Sequence, residues 1–385
     1  MSEEKLVPKL RFNGFDDEWT LSKLKEICMV QDGTHSTPNY TEQGIPFYSV
    51  ENITNNVPPK FISKEEHEKL IKRCKPQLGD ILVTRIGTLA ESKVIDWDEE
   101  FSIYVSLALL SDIKINSNYL NTYIQSPFYR SDFLSKSLLI AVPPKINLSD
   151  LETTVVKYPT RSEQEEIAKF FSIIDAKIKL LEDKLQAYND FKKYLMQQIF
   201  TQKLRFEDDE DWKIVKLGDI CKIKTGKLDA NAMVENGKYR FYTCAEEYYF
   251  IDDYAYDTEA LLISGNGAHV GYIHYYNGKF NAYQRTYILD QFTENIKLIM
   301  YILDKNLKKR IQQEKNEGST PYIKLSTLKD MKIDIPQSKT EQEKITSIFT
   351  NINNKIDYIN VELENMQNFK KGLLQQMFDN MIINI

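Results

Sequence analysis

The chain has 385 residues, enough for two or three domains, and its 42% hydrophobic and 28% charged residues are typical of a globular protein. No apolar run is long enough for a membrane helix and the start lacks a secretory signal, so we expect a cytoplasmic protein with no membrane partner. Four scattered cysteines predict no metal site, and the net charge of −6 excludes little, because basic residues cluster between Lys60 and Lys93.

In chain order, the sequence pattern predicts two mixed α/β modules, each followed by a long helix. The predicted division is an N-terminal arm at 1–19, a first module at 20–158, a helix at 159–200, an acidic linker at 201–211, a second module at 212–336 and a second helix at 337–385. Runs of β-favourable residues broken by Gly and Asn predict strands at Ile81–Val83, Phe101–Leu110, Tyr239–Tyr242, Leu261–Ile263, Tyr272–Tyr276 and Thr286–Leu289. Within the modules, helices are predicted at Lys64–Lys72, Tyr119–Leu134 and Asn295–Gln313.

The chain also repeats itself, which indicates two diverged copies of one unit. Lys9–Phe12 recurs as Lys203–Phe206, Trp19–Cys28 as Trp212–Cys221, Glu163–Glu165 as Glu341–Glu343, and Phe191–Phe200 as Phe369–Phe378. The ends of each copy correspond while the middles differ in length. Because the first of these motifs precedes the first module and does not follow the second helix, the chain behaves as a cut circle. We expect the termini to lie close together and residues 5–15 to pack near the end of the second helix.

Each long helix carries one apolar stripe whose steps alternate between four and three residues, the pattern of a coiled coil. The first stripe is Ile167, Phe171, Ile174, Ile178, Leu181 and Leu185, and the second is Ile345, Phe349, Ile352, Ile356, Ile359 and Leu363. Ser162 with Glu165, and Thr340 with Glu343, predict capping boxes. A pseudo-two-fold arrangement would lay the helices antiparallel, as a rod about 57 Å long at roughly 1.5 Å per residue. The alternative is a packed helical hairpin that serves only as core.

Loop residues of both modules are suited to contact DNA. Arginine matches guanine, Asn and Gln match adenine, and lysine contacts phosphate. The candidates are Thr34, His35, Arg85, Thr88, Lys93 and Lys145 in the first module, and Lys227, Asn266, His269, Arg285 and Lys324 in the second. For any one of these residues alone, a solvated loop position is an equally good interpretation.

Patterns that mark catalytic or cofactor sites are missing. There is no G-x-x-x-x-G-K-[ST] phosphate loop, and Gly265, Gly267 and Gly271 miss the G-x-G-x-x-G spacing by one residue. His269 and His274 would lie on opposite faces of a strand, which disfavours a shared metal. We expect no catalytic residue, metal or cofactor in this chain, although a diverged methyltransferase or nuclease is an alternative.

Two divergent modules that alternate with near-identical helices resemble the specificity subunits of type I restriction-modification enzymes. The most specific motifs are E-Q-x-x-I at Glu163 and Glu341 and F-K-K-x-L-x-Q-Q-x-F at Phe191–Phe200 and Phe369–Phe378. The resemblance implies an α+β protein in which two target-recognition domains are separated by two long helices that pair as an antiparallel coiled coil.

The resemblance also implies a function and partners. Each module would read one half of a split site in double-stranded DNA, and the helices would set the spacer and dock two methyltransferase subunits. Those partners would carry S-adenosylmethionine, and restriction subunits would use ATP and Mg. The chain itself would be non-catalytic. The alternative is a coiled-coil scaffold that does not bind DNA, for which salt-insensitive binding would be the mark, since phosphate contacts weaken with salt.

Overall fold

The computed structural model describes residues 7–55, 57–206, 211–314 and 322–378. The chain forms two compact units, of which unit 1 is Met1–Glu182 with Val361–Ile385 and unit 2 is Asp183–Asn360. Each unit contains one module and part of each long helix. The two units divide the chain within the long helices, so this division does not test the domain limits predicted from the sequence, which stay a prediction.

The first module, in unit 1, consists of short strands and short helices. Its strands are β1 (Thr20–Lys23), β2 (Met29–Asp32), β3 (Tyr40–Thr41), β4 (Ile45–Tyr48), β5 (Lys60–Ile62), β6 (Ile81–Thr84), β7 (Ser92–Val94), β8 (Ser102–Ile103), β9 (Leu107–Ser111) and β10 (Val155–Tyr158). Its helices are α1 (Leu24–Ile27), α2 (Val50–Thr54), α3 (Lys64–Leu70), α4 (Ser117–Ile124), α5 (Pro127–Ser135) and α6 (Leu148–Leu151), and the long helix α7 (Arg161–Phe200) follows. Because β1 pairs antiparallel with β10, the two ends of the module meet.

Two four-stranded sheets form the body of this module, in the orders β2-β9-β6-β7 and β3-β5-β4-β8. Residues of β6 are buried on both faces of the sheet. Ile81 and Val83 belong to the core that also holds α4 and α5, whereas Leu82 belongs to a smaller core with Phe101 and Leu109. Successive side chains of a strand point to opposite faces, so two cores explain the unbroken apolar run of β6.

The second module, in unit 2, has longer strands. They are β11 (Trp212–Lys216), β12 (Lys222–Thr225), β13 (Tyr239–Tyr242), β14 (Tyr249–Ile251), β15 (Tyr256–Ser264), β16 (Ile273–Ala282), β17 (Thr286–Asp290) and β18 (Lys332–Pro336). The helices are α8 (Leu217–Ile220), α9 (Ile296–Glu314) and α10 (Leu325–Lys329), with a 3-10 turn at Ala230–Ala232, and the long helix α11 (Lys339–Phe378) follows. Here β11 pairs antiparallel with β18, as β1 does with β10 in the first module.

A single six-stranded sheet, β12-β17-β15-β16-β13-β14, forms the body of the second module. Strand β16 pairs antiparallel with β15 and parallel with β13. In the first module separate strands take these two roles, because β7 pairs antiparallel with β6 and β8 pairs parallel with β4. The segment between β7 and β8 places Trp97 against Tyr48 and Phe101, with ring centroids 5.8 and 5.4 Å apart. The modules thus share one topology, and the sheet is interrupted in the first.

The long helices pack antiparallel within each unit. In unit 1, Phe171 of α7 stacks on Phe378 at the end of α11, with ring centroids 6.4 Å apart. In unit 2, Phe200 at the end of α7 stacks on Phe349 of α11 at 5.8 Å. The predicted stripe residues are buried at Ile167, Phe171, Ile174, Leu181, Ile345, Phe349, Ile352 and Ile359, and half-buried at Ile178, Leu185, Ile356 and Leu363. The predicted pairing is therefore confirmed within each unit.

The predicted capping boxes are wrong. Helix α7 begins at Arg161 and α11 at Lys339, so Ser162 and Thr340 lie inside the first turn and not at the cap. The residue before α11 supplies the cap, since the Ser338 hydroxyl accepts a hydrogen bond from the Glu341 amide at 3.2 Å. The sequence signal came from Ser162 with Glu165 and Thr340 with Glu343, whereas the Glu-Gln pair that lies between them has another role.

The repeated glutamate forms a buried ion pair with the repeated arginine in both units. In unit 1, Nε and Nη2 of Arg11 donate to the two carboxylate oxygens of Glu163 at 2.8 and 2.7 Å. In unit 2, the same atoms of Arg205 donate to Glu341 at 3.3 and 3.1 Å. Both carboxylates are buried, so each pair fixes the start of a long helix to the motif that precedes the module.

The end of each long helix packs on the tryptophan that opens a module. In unit 1 the ring centroids of Trp19 and Phe378 are 6.0 Å apart, and in unit 2 those of Trp212 and Phe200 are 6.3 Å apart. Leu10 and Phe12 join the core that contains Phe378, which supports the expected packing of the arm near the end of α11. Residues 1–6 and 379–385 lie outside the described residues, so the expected closeness of the termini stays a prediction.

Candidate nucleic-acid interface

A buried carboxylate at the end of β2 organises the candidate loops of the first module. Asp32 accepts hydrogen bonds from Nη2 of Arg73 at 2.6 Å and from Nη1 of Arg85 at 3.0 Å, and its second oxygen also lies 2.9 Å from Nε2 of His35. These three partners come from three different segments of the chain. Asp32 therefore holds together loops that are far apart in sequence.

Arg85, expected from the sequence to contact a base, is only 7% exposed. Besides Asp32, its guanidinium donates to the carbonyl oxygens of Val105 at 3.0 Å and Ile146 at 3.2 Å. Burial lowers the pKa of Arg85, and the neighbouring Asp32 carboxylate opposes that effect. The geometry therefore gives Arg85 a positioning role and offers no support for a direct contact with guanine.

The loop after β2 is fixed by a close backbone approach. A Cβ atom on Gly33 would lie 1.9 Å from the carbonyl oxygen of Ile103, so only glycine fits there. The Thr34 amide donates to that same carbonyl at 3.1 Å, and the Val105 amide donates to the Thr34 carbonyl at 3.0 Å. With its backbone fixed by these bonds, the loop exposes His35 to solvent and leaves Thr34 half-buried.

The other candidates of the first module are placed differently. Thr88 is exposed on the loop after β6, and Lys145 is half-buried and bridges to Ile86 on the same loop. Both residues belong to what we call the backbone frame, the set of hydrogen-bonded segments 32–34, 85–88, 103–106 and 144–146 around Arg85. Lys93 is exposed on the edge strand β7, where it pairs with Leu82 of β6, and its ammonium lies 4.9 Å from the Trp97 ring centroid.

The second module repeats this backbone frame with other side chains. A Cβ atom on Gly226 would lie 2.1 Å from the carbonyl oxygen of Ala282, the same close approach that Gly33 makes. Lys227 follows it on the exposed surface. The bonds that follow pair Thr34 with Leu228, because the Val105 amide donates to the Thr34 carbonyl as the Gln284 amide donates to the Leu228 carbonyl, so Lys227 is an additional residue at this point of the frame.

The arginines of the two modules occupy different points of the frame. The Arg85 amide donates to the Ser106 carbonyl, and the equivalent bond in the second module runs from the Gly265 amide to the Arg285 carbonyl, each at 2.9 Å. Gly265 thus stands where Arg85 stands, and Arg285 stands where Ser106 stands. Since Arg285 is exposed, the second module keeps an arginine that is available to a ligand.

The remaining candidates of the second module flank this point. Asn266 is half-buried and bridges to Tyr322, as Ile86 bridges to Lys145 in the first module. Lys324 is exposed, with its ammonium 5.7 Å from the Tyr322 ring centroid. His269 is exposed, and its Nδ1 lies 3.0 Å from the Glu246 carboxylate.

Sequence reasoning missed an aromatic cluster around Arg240. The guanidinium carbon lies 4.2 Å from the Tyr248 ring centroid and 4.6 Å from the Tyr276 ring centroid, and Nη1 lies 3.4 Å from the Tyr242 hydroxyl. The hydrogen bond to Tyr242 raises the pKa of Arg240, so the cation persists between the rings. Arg240 and Tyr242 alternate on β13 and so lie on one face, but Tyr276 comes from β16 and Tyr248 from a loop, so no local pattern shows the cluster.

Among the described residues, no group of three or more His, Cys, Asp or Glu side chains is arranged to hold a metal ion. No helix within the described ranges combines the length and the apolar composition needed to cross a membrane.

Comparisons with known proteins bear on both modules. A specificity subunit of the type I restriction enzyme EcoDI from Escherichia coli is 39% identical over 166 residues, which cover 43% of this chain and 36% of the relative. The MjaIX specificity subunit of Methanocaldococcus jannaschii is 24% identical over 371 residues, which cover 83% of each chain. This chain thus spans about a third of the first relative and most of the second.

A solved structure and a family model agree with these relatives. The crystal structure of the S subunit of a type I restriction-modification system from M. genitalium has the same fold, with a TM-score of 0.68 and 18% identity over 98% of this chain and 100% of that one. The family model described as "Type I restriction modification DNA specificity domain" matches residues 16–188 and 209–367, which include both modules. The chain therefore belongs to the type I restriction-modification DNA specificity family.

Proposed function

We propose that this chain reads DNA for a type I restriction-modification complex, with each module recognising one half of a split site. The observation that carries the proposal is one backbone frame displaying different side chains in two modules. Gly33 and Gly226 make the same close approach, while Thr34 corresponds to Leu228 and Arg85 corresponds to Gly265 across the repeat. A shared frame with exchanged side chains is what two different base sequences require, since base edges are distinguished by donor and acceptor pattern.

We also propose that the two long helices dock two methyltransferase subunits. In unit 1, Leu180 lies nine residues after Phe171 and Phe369 lies nine residues before Phe378, so the antiparallel register places them at the same level along the two helices. In unit 2, the same count from Phe200 and Phe349 places Phe191 and Tyr358 at the same level along the two helices. All four side chains are exposed.

These two pairs are equivalent positions of the repeat. Leu180 corresponds to Tyr358, and Phe191 corresponds to Phe369. Two equivalent apolar patches favour two copies of one partner over two different partners. The partner subunits would carry S-adenosylmethionine and the chemistry of adenine methylation, restriction subunits would use ATP and Mg, and the complex would act on DNA in the cytoplasm. A scaffold that does not bind DNA is not favoured, because the family match includes both modules.

The first test is a map of methylated adenines in host DNA with and without this chain. Loss of methylation at one split motif is the expected result, and an unchanged map in a host that expresses the methyltransferase contradicts the proposal. Substitutions assign the halves: His35→Ala should relax one half of the motif, and Arg285→Ala the other. Each loss is expected to be about 1–3 kcal/mol of discrimination at one base pair.

The docking proposal is tested by the mass of the intact complex. Leu180→Asp with Phe369→Asp should leave one methyltransferase copy bound, and so should Phe191→Asp with Tyr358→Asp, because each pair removes one patch. Ile214→Asp, a change at another exposed apolar residue on β11, is the matched control and should leave two copies bound. Retention of both copies by either double variant contradicts the proposed surface.

A further inference from the structure

The loop between α5 and α6 carries the most exposed large apolar side chains in the described part of the chain. Ile140 is 97% exposed and Val142 is 99% exposed, and Leu138 and Leu139 beside them are also exposed. Leaving such side chains in water is unfavourable. Single exposed apolar residues are ordinary on a protein surface, but two almost fully exposed ones at one loop tip point to a ligand.

The backbone of this loop is held in a defined shape. The Leu138 amide donates to the Lys145 carbonyl at 2.7 Å, and the Lys145 amide donates to the Leu138 carbonyl at 3.3 Å. The Ala141 amide donates to the Leu138 carbonyl at 3.3 Å. Two opposed bonds at the base close the loop, so Ile140 and Val142 are displayed at its tip.

The base of the loop is bonded to the frame that carries the candidate DNA contacts. The Gly87 amide donates to the Pro144 carbonyl at 2.9 Å, and the Ile146 amide donates to the Arg85 carbonyl at 3.0 Å. Arg85 in turn donates to the Asp32 carboxylate at 3.0 Å, next to the His35 loop. The apolar tip is therefore continuous with the proposed recognition surface and is not an isolated patch.

The charge of the segment suits DNA. Between Asp132 and Asp150 the sequence contains Lys136 and Lys145 and no acidic residue, although acidic residues outnumber basic ones in the whole chain, 56 to 50. A polyanion is therefore not repelled here. In the major groove of DNA, the 5-methyl group of thymine is the apolar feature that an aliphatic side chain can contact.

We propose that Ile140 and Val142 contact thymine methyl groups in the half-site read by the first module. The inference rests on the proposed function and names the chemistry of one reading element. Every such half-site contains a thymine, because the methylated adenine pairs with one. The second module reads its half-site without this device, since the aligned stretch 315–321 is Lys-Asn-Glu-Gly-Ser-Thr-Pro and has no large aliphatic side chain.

Replacing thymine by deoxyuridine removes only the methyl group and so tests the contact directly. With the full chain assembled with its methyltransferase subunits, deoxyuridine in the first half-site should weaken binding about fourfold per contacted methyl group. Ile140→Ser with Val142→Ser should bind thymine DNA more weakly and should no longer distinguish thymine from deoxyuridine. Deoxyuridine in the second half-site is the internal control, where the double variant and the parent should respond equally.

Leu78→Ser is the matched protein control, because Leu78 is an exposed apolar residue elsewhere in the same module. It should behave as the parent does, and unfolding curves should show that all variants fold. The proposal is overturned if the parent does not distinguish thymine from deoxyuridine in the first half-site. It is also overturned if the double variant binds DNA normally, or if it binds DNA more weakly only because a methyltransferase subunit is lost from the complex. A parent complex with no preference for its mapped site would instead overturn the proposed function.

Discussion

At the scale of single residues, the ion pair between the repeated arginine and the repeated glutamate ties each long helix to its module. We predict that Glu163→Gln lowers the free energy of unfolding of unit 1 by about 1.5–3 kcal/mol, because the Arg11 guanidinium loses a charged partner in a buried site. Urea unfolding measures the loss. Arg161→Gln breaks an exposed pair with Glu165 and is the control, expected to change stability by less than about 0.5 kcal/mol.

Glu294 gives a prediction about acid stability in unit 2. Burial raises the pKa of this carboxyl, but hydrogen bonds from Lys213, Lys339 and Gln342 outweigh burial and bring the pKa to about 2. The folded pKa lies below the unfolded value, so the stabilisation is complete above the unfolded pKa of about 4.3 and is lost as pH falls towards 2. Glu294→Gln should flatten this part of the stability curve, and an unchanged acid slope would contradict the assignment.

Arg85 shows where sequence reasoning fails at this scale. Its place after an apolar run and before Gly87 correctly indicates a loop after a strand. Its burial depends on Asp32, which is 53 positions away in the sequence, and on carbonyl groups of two other segments. No local pattern reveals such a contact, so an arginine that holds loops together looks the same in sequence as one that reads guanine.

At the scale of elements, two glycines give opposite predictions. Gly33→Ala should lower stability by about 1–3 kcal/mol, because the new methyl group would overlap the Ile103 carbonyl at the end of β8. Gly372→Ala should raise it by about 0.5–1 kcal/mol, because this glycine lies inside α11 with open space around it. Thermal unfolding of the two variants measures both signs. Equal changes in melting temperature in the two variants would contradict both explanations, the steric overlap at Gly33 and the helix propensity at Gly372.

Some strands could be predicted from the sequence as the structure has them, whereas one predicted strand and one predicted helix each divide into two. The strand predicted at Tyr239–Tyr242 matches β13, and the apolar run Ile81–Val83 lies within β6. The run Phe101–Leu110 divides into β8 and β9, because the Tyr104 amide bonds to the Tyr48 carbonyl and the Val105 amide to the Thr34 carbonyl. The helix expected at Tyr119–Leu134 divides into α4 and α5, where Pro127 starts the second helix. Long-range bonds therefore set the boundaries that periodicity leaves open.

At the scale of the whole molecule, the acidic net charge makes DNA binding a matter of local charge. The salt dependence of binding should therefore report on a few lysines. We predict that Lys227→Gln reduces the slope of log K against log salt by about 0.9, the value for each phosphate that a protein neutralises. Lys216→Gln, which breaks an exposed pair with Asp330, should leave the slope unchanged. Equal slopes for the two variants would contradict the proposal that Lys227 contacts a DNA phosphate.

The overall architecture could be predicted because the chain contains two copies to compare. Aligning the two copies is enough to separate the constant residues, such as Glu163 and Glu341, from the variable ones. The same comparison cannot say which variable residues contact DNA, since Thr34 and Leu228 share a backbone position and no chemistry. The target sequence therefore depends on side chains that the repeat does not constrain.

The two ion pairs have a genetic consequence. Each variable module is bracketed by the same short motifs, with Lys-Leu-Arg-Phe before it and Glu-Gln at the start of the helix after it. A crossover at these motifs exchanges one module for another while Arg11 still meets Glu163 or Arg205 still meets Glu341. Recombination can therefore change the half-site that the protein reads in a single step. The ion pair between the repeated arginine and the repeated glutamate forms in the recombinant as it does in the parent.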